Sequence, residues 1–293
     1  MKYQSALRWL IPLIGILALI AAGSGLFYQT DGQPYPFTSY RGEEVMIYNQ
    51  GLYQYETVSS VAQAKANDLV TLVIGLPLLV ISTWLAFHGS LRGRLLLTGT
   101  LGFFLYTYIS MAFLAAFNPL FLVYTALYSL SLFAFILSMM SFDLETLPKH
   151  FSERLPRKWI AGLLFFVGGF LALAWLGRVL LPTLGNQTPL LENATTMVIQ
   201  AMDLGLILPL VVLGGVLISR RSAWGYLLAS VALMKGMTMG IAVSAMGVNM
   251  AMQGVPDSLG ILTPFMVITL LNLVMAVILL KNVKGEIAAG LTL

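Results

Sequence analysis

The 293-residue chain contains no cysteine and only two histidines, His88 and His150. Disulfide bonds, thiolate metal sites and cysteine nucleophiles are therefore excluded. Both histidines fall in predicted connectors, which excludes a histidine-rich zinc or di-iron centre within a membrane. The sequence accordingly predicts no metal site and no cofactor.

Charged residues are also scarce, at 10% of the chain, whereas hydrophobic residues make up 58% and the mean hydropathy is +0.87. This composition lies far outside that of soluble domains and indicates an integral membrane protein. The net charge of +4 does not indicate nucleic-acid binding, because the basic residues are scattered in pairs and form no basic stripe with interleaved aromatics. We therefore expect the lipid bilayer, and no nucleic acid, as a partner.

Apolar stretches of about 20 residues are long enough to cross the hydrocarbon core of a bilayer. None of these stretches shows the alternating pattern of a membrane β-barrel, so each is expected to be a helix. The predicted fold class is all-α, a polytopic transmembrane helical bundle that forms a single domain over 1–293. Eight spans are predicted, at 9–27, 68–87, 95–117, 119–140, 159–182, 194–219, 224–248 and 259–280.

Lys and Arg are concentrated in alternate connectors, and the other connectors contain only Arg41 and Lys65. Because positive charge near span ends is retained in the cytoplasm, both termini are predicted to be cytoplasmic. The size and the connectors are typical of a prokaryotic plasma-membrane protein. Lys2 and Arg8 before the first apolar run resemble a signal peptide, but an apolar length of about 19 residues favours a retained span.

A shift of 132 residues places the second and third spans on the sixth and seventh without a gap. Pro77 then falls on Pro209, and Gly93 falls on Gly225, so the match is not limited to leucine. Proline within a helix removes a backbone donor and favours a kink. The paired kinks are either ordinary features of membrane helices or a pointer to a transport site.

This register predicts that the chain consists of two similar halves. Each half begins in the cytoplasm, so the halves would be parallel four-helix repeats around an axis along the membrane normal. The predicted halves are 1–140 and 159–293, joined by a cytoplasmic connector at 141–158.

The longest outer connector, 28–67, is too long for a simple turn and is rich in tyrosine. Alternating side chains in 44–48 and 52–55, separated by 49–51, predict a β-hairpin. A helical approach over 59–67 would return the chain to the membrane. We expect the hairpin to act either as a cap or docking surface over the outer mouth, or as an anchor at the lipid headgroups.

Lys235 lies within the apolar stretch 224–248, where a charged group costs about 3 kcal/mol on insertion scales and usually has a partner inside the protein. Asp203, in the preceding stretch, is the predicted partner, since a long lysine side chain could bridge the two helices. Gln200 shares a helical stripe with Asp203, and Thr238 shares one with Lys235.

Further polar side chains fall at middle or outer depth in the other helices. Helical periodicity alone does not determine whether they converge on Asp203 and Lys235; the candidates are Tyr106, Tyr108, Tyr124, Tyr128, Ser131, Thr269 and Asn272. Arg178 and Asp68 are weaker candidates at the outer mouth. Snorkelling to the headgroups is sufficient to explain Arg178, and an N-terminal cap of the second helix is sufficient to explain Asp68.

Two interpretations fit the Asp203 and Lys235 region. In the first, both residues lie in a hydrated, outward-connected cavity, where they bind a small polar or charged ligand or exchange a proton during transport. In the second, they form a permanent ion pair that holds two helices together.

A small-molecule or ion transporter-like protein is the leading functional hypothesis. The alternative is a non-catalytic membrane receptor, assembly factor or accessory subunit that uses the outer loop to contact a membrane protein partner. An integral membrane enzyme acting on lipid comes third, because the sequence contains no nucleophile elbow, clustered histidine motif or phosphate-binding loop. The sequence leaves an enzymatic role open without favouring it.

Overall fold

The computed structural model describes residues 1–255 and 258–284. In this part of the chain, eight helices are long and apolar enough to cross a membrane, which confirms the predicted number of spans and indicates a multi-pass membrane protein. The helices are α1 (Gln4–Phe27), α2 (Val58–Phe87), α3 (Leu91–Phe113), α4 (Phe121–Met140), α5 (Arg157–Leu184), α6 (Val198–Ser219), α7 (Ala223–Met252) and α8 (Ser258–Lys281).

The helices run back and forth, so their connectors gather at two ends of the bundle. We call the end that carries connectors 28–57, 114–120 and 185–197 the hairpin end, and the opposite end the basic end. At the basic end, connector 141–156 is tied to the chain after α8, because Phe151 forms a bridge with Val283. This connector is a short link between helices.

Helix α2 begins ten residues earlier than its apolar stretch. The Thr57 side chain accepts the Ser60 N–H and caps the helix. The polar first turns are covered by α7, whose Asn249 side chain donates to the Ala62 carbonyl oxygen. The expectation that Asp68 caps this helix is therefore wrong, since Asp68 lies well inside it.

Helices α2 and α6 each contain a π-helical turn before a proline. The turn spans Thr71–Gly75 before Pro77 in α2, and Asp203–Ile207 before Pro209 in α6. Proline lacks an N–H and its ring crowds the preceding turn, so a widened turn accommodates it. At both prolines, the irregularity expected from the sequence is a π-helical turn. The two turns are 132 residues apart, like the prolines, while the two-repeat organisation itself stays a prediction.

A β-hairpin is present in this connector, but only one of its two strands, at 44–47, is a predicted one. β1 (Tyr35–Thr38) pairs antiparallel with β2 (Glu44–Ile47), with Tyr35 opposite Ile47. The expected second strand at 52–55 is wrong, because Gly51–Tyr53 forms a 3-10 turn. The strand at 35–38 is not among the predicted ones. It contains Pro36, and proline is tolerated only in a strand with a free edge.

Helix α7 lies at the centre of the bundle and packs against α2, α3, α6 and α8. Glycines allow the closest of these approaches. A Cβ at Gly99 of α3 would overlap Met234 of α7, and a Cβ at Gly236 of α7 would lie 2.7 Å from Asn272 Oδ1 of α8. Lys235 is thereby fixed between α3 and α8.

Candidate functional site

Asp203 is the first residue of the π-helical turn in α6, and its side chain is buried. The Tyr106 hydroxyl of α3 donates to Oδ1 at 2.7 Å, and the Trp175 indole N–H of α5 donates to Oδ2 at 2.8 Å. Hydrogen bonds to a charged acceptor contribute about 1.5–3 kcal/mol each. Neutral donors from two other helices therefore hold this carboxylate in place.

Lys235 contacts the ring of the same tyrosine, with Nζ 3.9 Å from the centre of the Tyr106 ring. Gly102 leaves room for the lysine, since a Cβ there would lie 3.6 Å from Lys235 Cγ. Among the described residues, no carboxylate lies within salt-bridge distance of Lys235. The direct contact between Asp203 and Lys235 that the sequence suggests is therefore wrong, and Tyr106 connects them instead.

Tyr106 can serve both groups because its hydroxyl hydrogen is positively polarised and its ring face is negative. A cation over an aromatic face is stabilised by about 2 kcal/mol when it is desolvated. The contacts therefore run from Asp203 through Tyr106 to Lys235, across α6, α3 and α7. We call Asp203, Tyr106, Trp175 and Lys235 the polar centre.

The other candidates on α6, α7 and α8 do not bind this centre. Thr238 is buried, and its hydroxyl donates to the carbonyl oxygens of its own helix. Asn272 is buried as well, and its Nδ2 donates to the Ile268 carbonyl oxygen one turn earlier. Gln200 is half-buried one turn from Asp203 and forms no hydrogen bond with the polar centre. These side chains therefore lie outside the polar centre.

The two tyrosines expected on one stripe of α4 have different surroundings. Tyr128 packs edge-on against Phe113, with ring centres 5.7 Å apart. Tyr124 is buried and stacks against Tyr108 at 6.4 Å. Its hydroxyl lies beside Tyr53, at the hairpin end. Neither tyrosine joins the polar centre.

A second buried aspartate, Asp68, lies near the hairpin end. The Tyr53 hydroxyl donates to Asp68 Oδ2 at 2.7 Å, and both side chains are buried. A Cβ at Gly25 of α1 would overlap this oxygen, so glycine is required where α1 crosses the hydrogen bond. Burial, and then the negative charge of Asp68, raises the pKa of Tyr53 well above its usual range. The phenol therefore remains protonated and continues to donate.

A cavity of about 100 Å³ opens next to this aspartate, between the end of α1 and the 3-10 turn. Gly25 and Tyr53 form part of its wall, together with Tyr48 and Lys65. Lys65 Nζ donates to the Tyr48 hydroxyl at 2.8 Å and lies 4.7 Å from the centre of that ring. The cavity therefore contains a half-buried cation whose partner is a neutral tyrosine.

The hairpin is clamped to the connector between α5 and α6. Arg41 donates to the carbonyl oxygens of Ala194 and Thr195. Glu43 accepts the N–H groups of residues 191 and 192 at 3.1 and 2.9 Å. The Thr57 hydroxyl donates to the Glu192 carboxylate at 2.5 Å. These contacts hold the hairpin against the connector between α5 and α6, and we call the hairpin in this position the cap.

Glu56 extends this cap to the turn between α3 and α4, where its carboxylate accepts the Ala116 N–H at 2.6 Å. Burial raises the pKa of Glu56, the Ala116 N–H opposes this shift, and the nearby charge of Glu192 adds to it. A proton on Glu56 is therefore favoured when the cap is in place.

Arg178 is exposed, and its guanidinium donates to the Leu190 carbonyl oxygen rather than to the polar centre. Sequence reasoning missed Trp175, which lies one turn before Arg178 and supplies the second donor to Asp203. It also missed Lys65 and Tyr53. The only signal for these residues was their position in or beside the tyrosine-rich connector, since neither lies in a predicted span.

A scan against protein-family models and searches of curated proteins and of solved structures find no match to the chain.

Proposed function

We propose that the protein is a transporter-like membrane protein that takes up a small polar or charged solute at the polar centre. The observation that carries this proposal is the position of Lys235, whose ammonium group rests on the Tyr106 ring instead of on a carboxylate. Its N–H groups are therefore free to bind an acceptor on a solute.

A permanent ion pair would stabilise the packing of two helices most strongly if its two charges were in direct contact. The attraction between the charges falls with distance, and it must offset the desolvation of both. Here Asp203 binds two neutral donors and Lys235 binds a ring face. This arrangement supports a site in which a polar solute or a proton binds between two charges that are not in direct contact.

The two π-helical turns support the same proposal, because such turns occur frequently at functional sites. One of them begins at Asp203 itself. We propose that 1–140 and 159–293 are parallel repeats, and that Pro77 and Pro209 mark equivalent points at which the helices adjust during transport. The hairpin end would then face outward and both termini would face the cytoplasm of a plasma membrane.

Reconstitution in proteoliposomes tests the proposal. Solute-evoked charge movement is measured with a panel of small carboxylates, amines and neutral polar solutes. We expect Tyr106→Phe to reduce the response at least tenfold, because the ring remains under Lys235 while the contact with Asp203 is lost. Tyr128→Phe is the matched control and should retain the response, since the Tyr128 ring packs against Phe113 and the hydrophobic core, outside the polar centre. Equal responses in the two variants would exclude the polar centre as the solute site.

A second candidate function, as a receptor or accessory subunit, is favoured by the exposed aromatic residues of the hairpin. Tyr40 is fully exposed, and Tyr35 and Phe37 are 42% and 40% exposed. Exposed aromatic clusters are typical of protein contact sites. Crosslinking in native membranes tests this role: Phe37→Ser with Tyr40→Ser should remove a crosslinked partner, whereas an unchanged crosslinking pattern would argue against it.

A further inference from the structure

The cavity at the hairpin end shares its chemistry with the polar centre. In each place a lysine lies over a tyrosine ring, Lys65 over Tyr48 and Lys235 over Tyr106. In each place the nearby aspartate accepts a hydrogen bond from a tyrosine. Neither lysine has a carboxylate of the described residues within salt-bridge distance. Each lysine therefore has an ammonium group that is not in a direct ion pair and can bind an anionic ligand.

The donors at the cavity are arranged to receive an acceptor. Lys65 uses one N–H on the Tyr48 hydroxyl, which leaves two for a ligand. Because that hydroxyl accepts from lysine, its own hydrogen is available to donate. The Gln50 amide also lines the cavity and uses one N–H on the Gly32 carbonyl oxygen, so its second N–H remains.

The charge in the cavity favours an anion. Lys65 is the one formally charged residue of the cavity wall within the described part of the chain. Asp68 lies behind Gly25 and Tyr53, and its Oδ2 is occupied by the Tyr53 hydroxyl. An anionic group in the cavity would thus meet the ammonium group directly and the carboxylate only through a neutral phenol.

We propose that this cavity is a second ligand site, which binds a short-chain organic carboxylate through Lys65 and Tyr48. Its volume of about 100 Å³ limits the ligand to a small molecule. The cavity wall is mostly polar, so recognition depends on the carboxylate group of the ligand. The site is separate from the polar centre and does not depend on whether the bundle transports a solute.

Ligand-observed NMR on the full chain in lipid nanodiscs tests this site, with propionate as the probe and propionamide as its uncharged isostere. We expect propionate to bind at least tenfold more tightly than propionamide. Lys65→Met should weaken propionate at least tenfold, which corresponds to about 1.4 kcal/mol, while Lys65→Arg should retain binding. Arg178→Met, which removes a cation of the same end outside the cavity, should leave binding unchanged.

Tyr48→Phe provides an independent variant, because it removes only one hydroxyl and should weaken propionate binding about threefold. Propionate binding that is unaffected by both Lys65→Met and Tyr48→Phe would overturn the proposal, as would a wild-type chain that binds no propionate. Loss of binding in Lys235→Met alone would assign the anion to the polar centre instead. Failure of the transport proposal appears separately, as unchanged charge movement in Tyr106→Phe.

Discussion

Asp68 and Asp203 are both buried and both accept a hydrogen bond from a tyrosine, but the elements that reach them differ. Asp68 is bound by Tyr53, which belongs to a connector at the hairpin end. Asp203 is bound by Tyr106 and Trp175, which belong to two membrane helices. The first arrangement depends on how the connector folds over α1 and α2, whereas the second depends on how α3, α5 and α6 pack.

The two aspartate regions also differ in their position in the bundle. The Asp68 region lies beside a cavity that opens at the hairpin end, and its cation, Lys65, is half-buried there. The Asp203 region joins α3, α5 and α6, and Lys235 of α7 contacts it through the Tyr106 ring. The same types of residue therefore occur both at the edge of the bundle and inside it.

The largest expected effect on folding stability comes from replacing the glycines at which helices approach each region most closely. Gly99→Ala would force α3 away from Met234 and Lys235, and Gly25→Ala would displace Asp68 and Tyr53. We expect each variant to lose about 3 kcal/mol of folding stability. Unfolding in mild detergent measures the loss. Gly162→Ala is the control, because a Cβ there meets no atom within 4 Å and alanine should stabilise the helix.

The hydrogen bonds to the two aspartates should have the next largest effect. Tyr106→Phe and Tyr53→Phe each remove one donor from a buried carboxylate, which should cost about 2 kcal/mol of folding stability. Tyr128→Phe should change it by less than about 0.5 kcal/mol. The same unfolding assay separates these values. Equal losses in all three variants would mean that neither carboxylate depends on its tyrosine.

The smallest expected effect concerns the cap. Because the folded-state pKa of Glu56 is raised, its proton stabilises the closed cap below the ordinary pKa, and this contribution is lost as the pH rises through the folded-state pKa. Glu56→Gln should remove this dependence, since the amide still accepts the Ala116 N–H without a charge. Hydrogen exchange of hairpin amides between about pH 4 and pH 8 measures it, each pKa unit corresponding to about 1.4 kcal/mol.

Glu153→Gln, an exposed glutamate at the basic end, is the control for this pH series. It should leave hairpin exchange unchanged at every pH. If the hairpin of the wild-type chain exchanges equally across the pH range, Glu56 does not govern the cap.

The number of helices follows from the sequence because the length of an apolar stretch is set by the thickness of the bilayer. Periodicity also places Asp203 and Lys235 inside the bundle. It does not show that the Tyr106 side chain lies between them, since the spacing along α3 gives a face and a depth but not a contact across three helices. Trp175 was missed for the same reason.

Only one strand of the hairpin can be predicted from the sequence. Glu44–Ile47 alternates as a strand should, and it is one. Its partner contains Pro36, which lowers the expectation of a strand, and the tyrosines after Gly51 suggested a strand where the chain turns. The clamp between Glu43 and residue 192 depends on two connectors far apart in sequence, which no local pattern relates.

The central claim is that solutes reach Lys235 from water, and a native chain without cysteine allows a direct test. Lys235→Cys is reconstituted in lipid and exposed to a charged, membrane-impermeant thiol reagent at the hairpin end. Tyr40→Cys, at a fully exposed site, sets the upper limit of the rate, and Leu233→Cys, at a fully buried site on the same helix, sets the lower limit. We predict that Lys235→Cys reacts at a rate between these limits. A rate as low as that of Leu233→Cys would show a dry, closed centre and contradict the account.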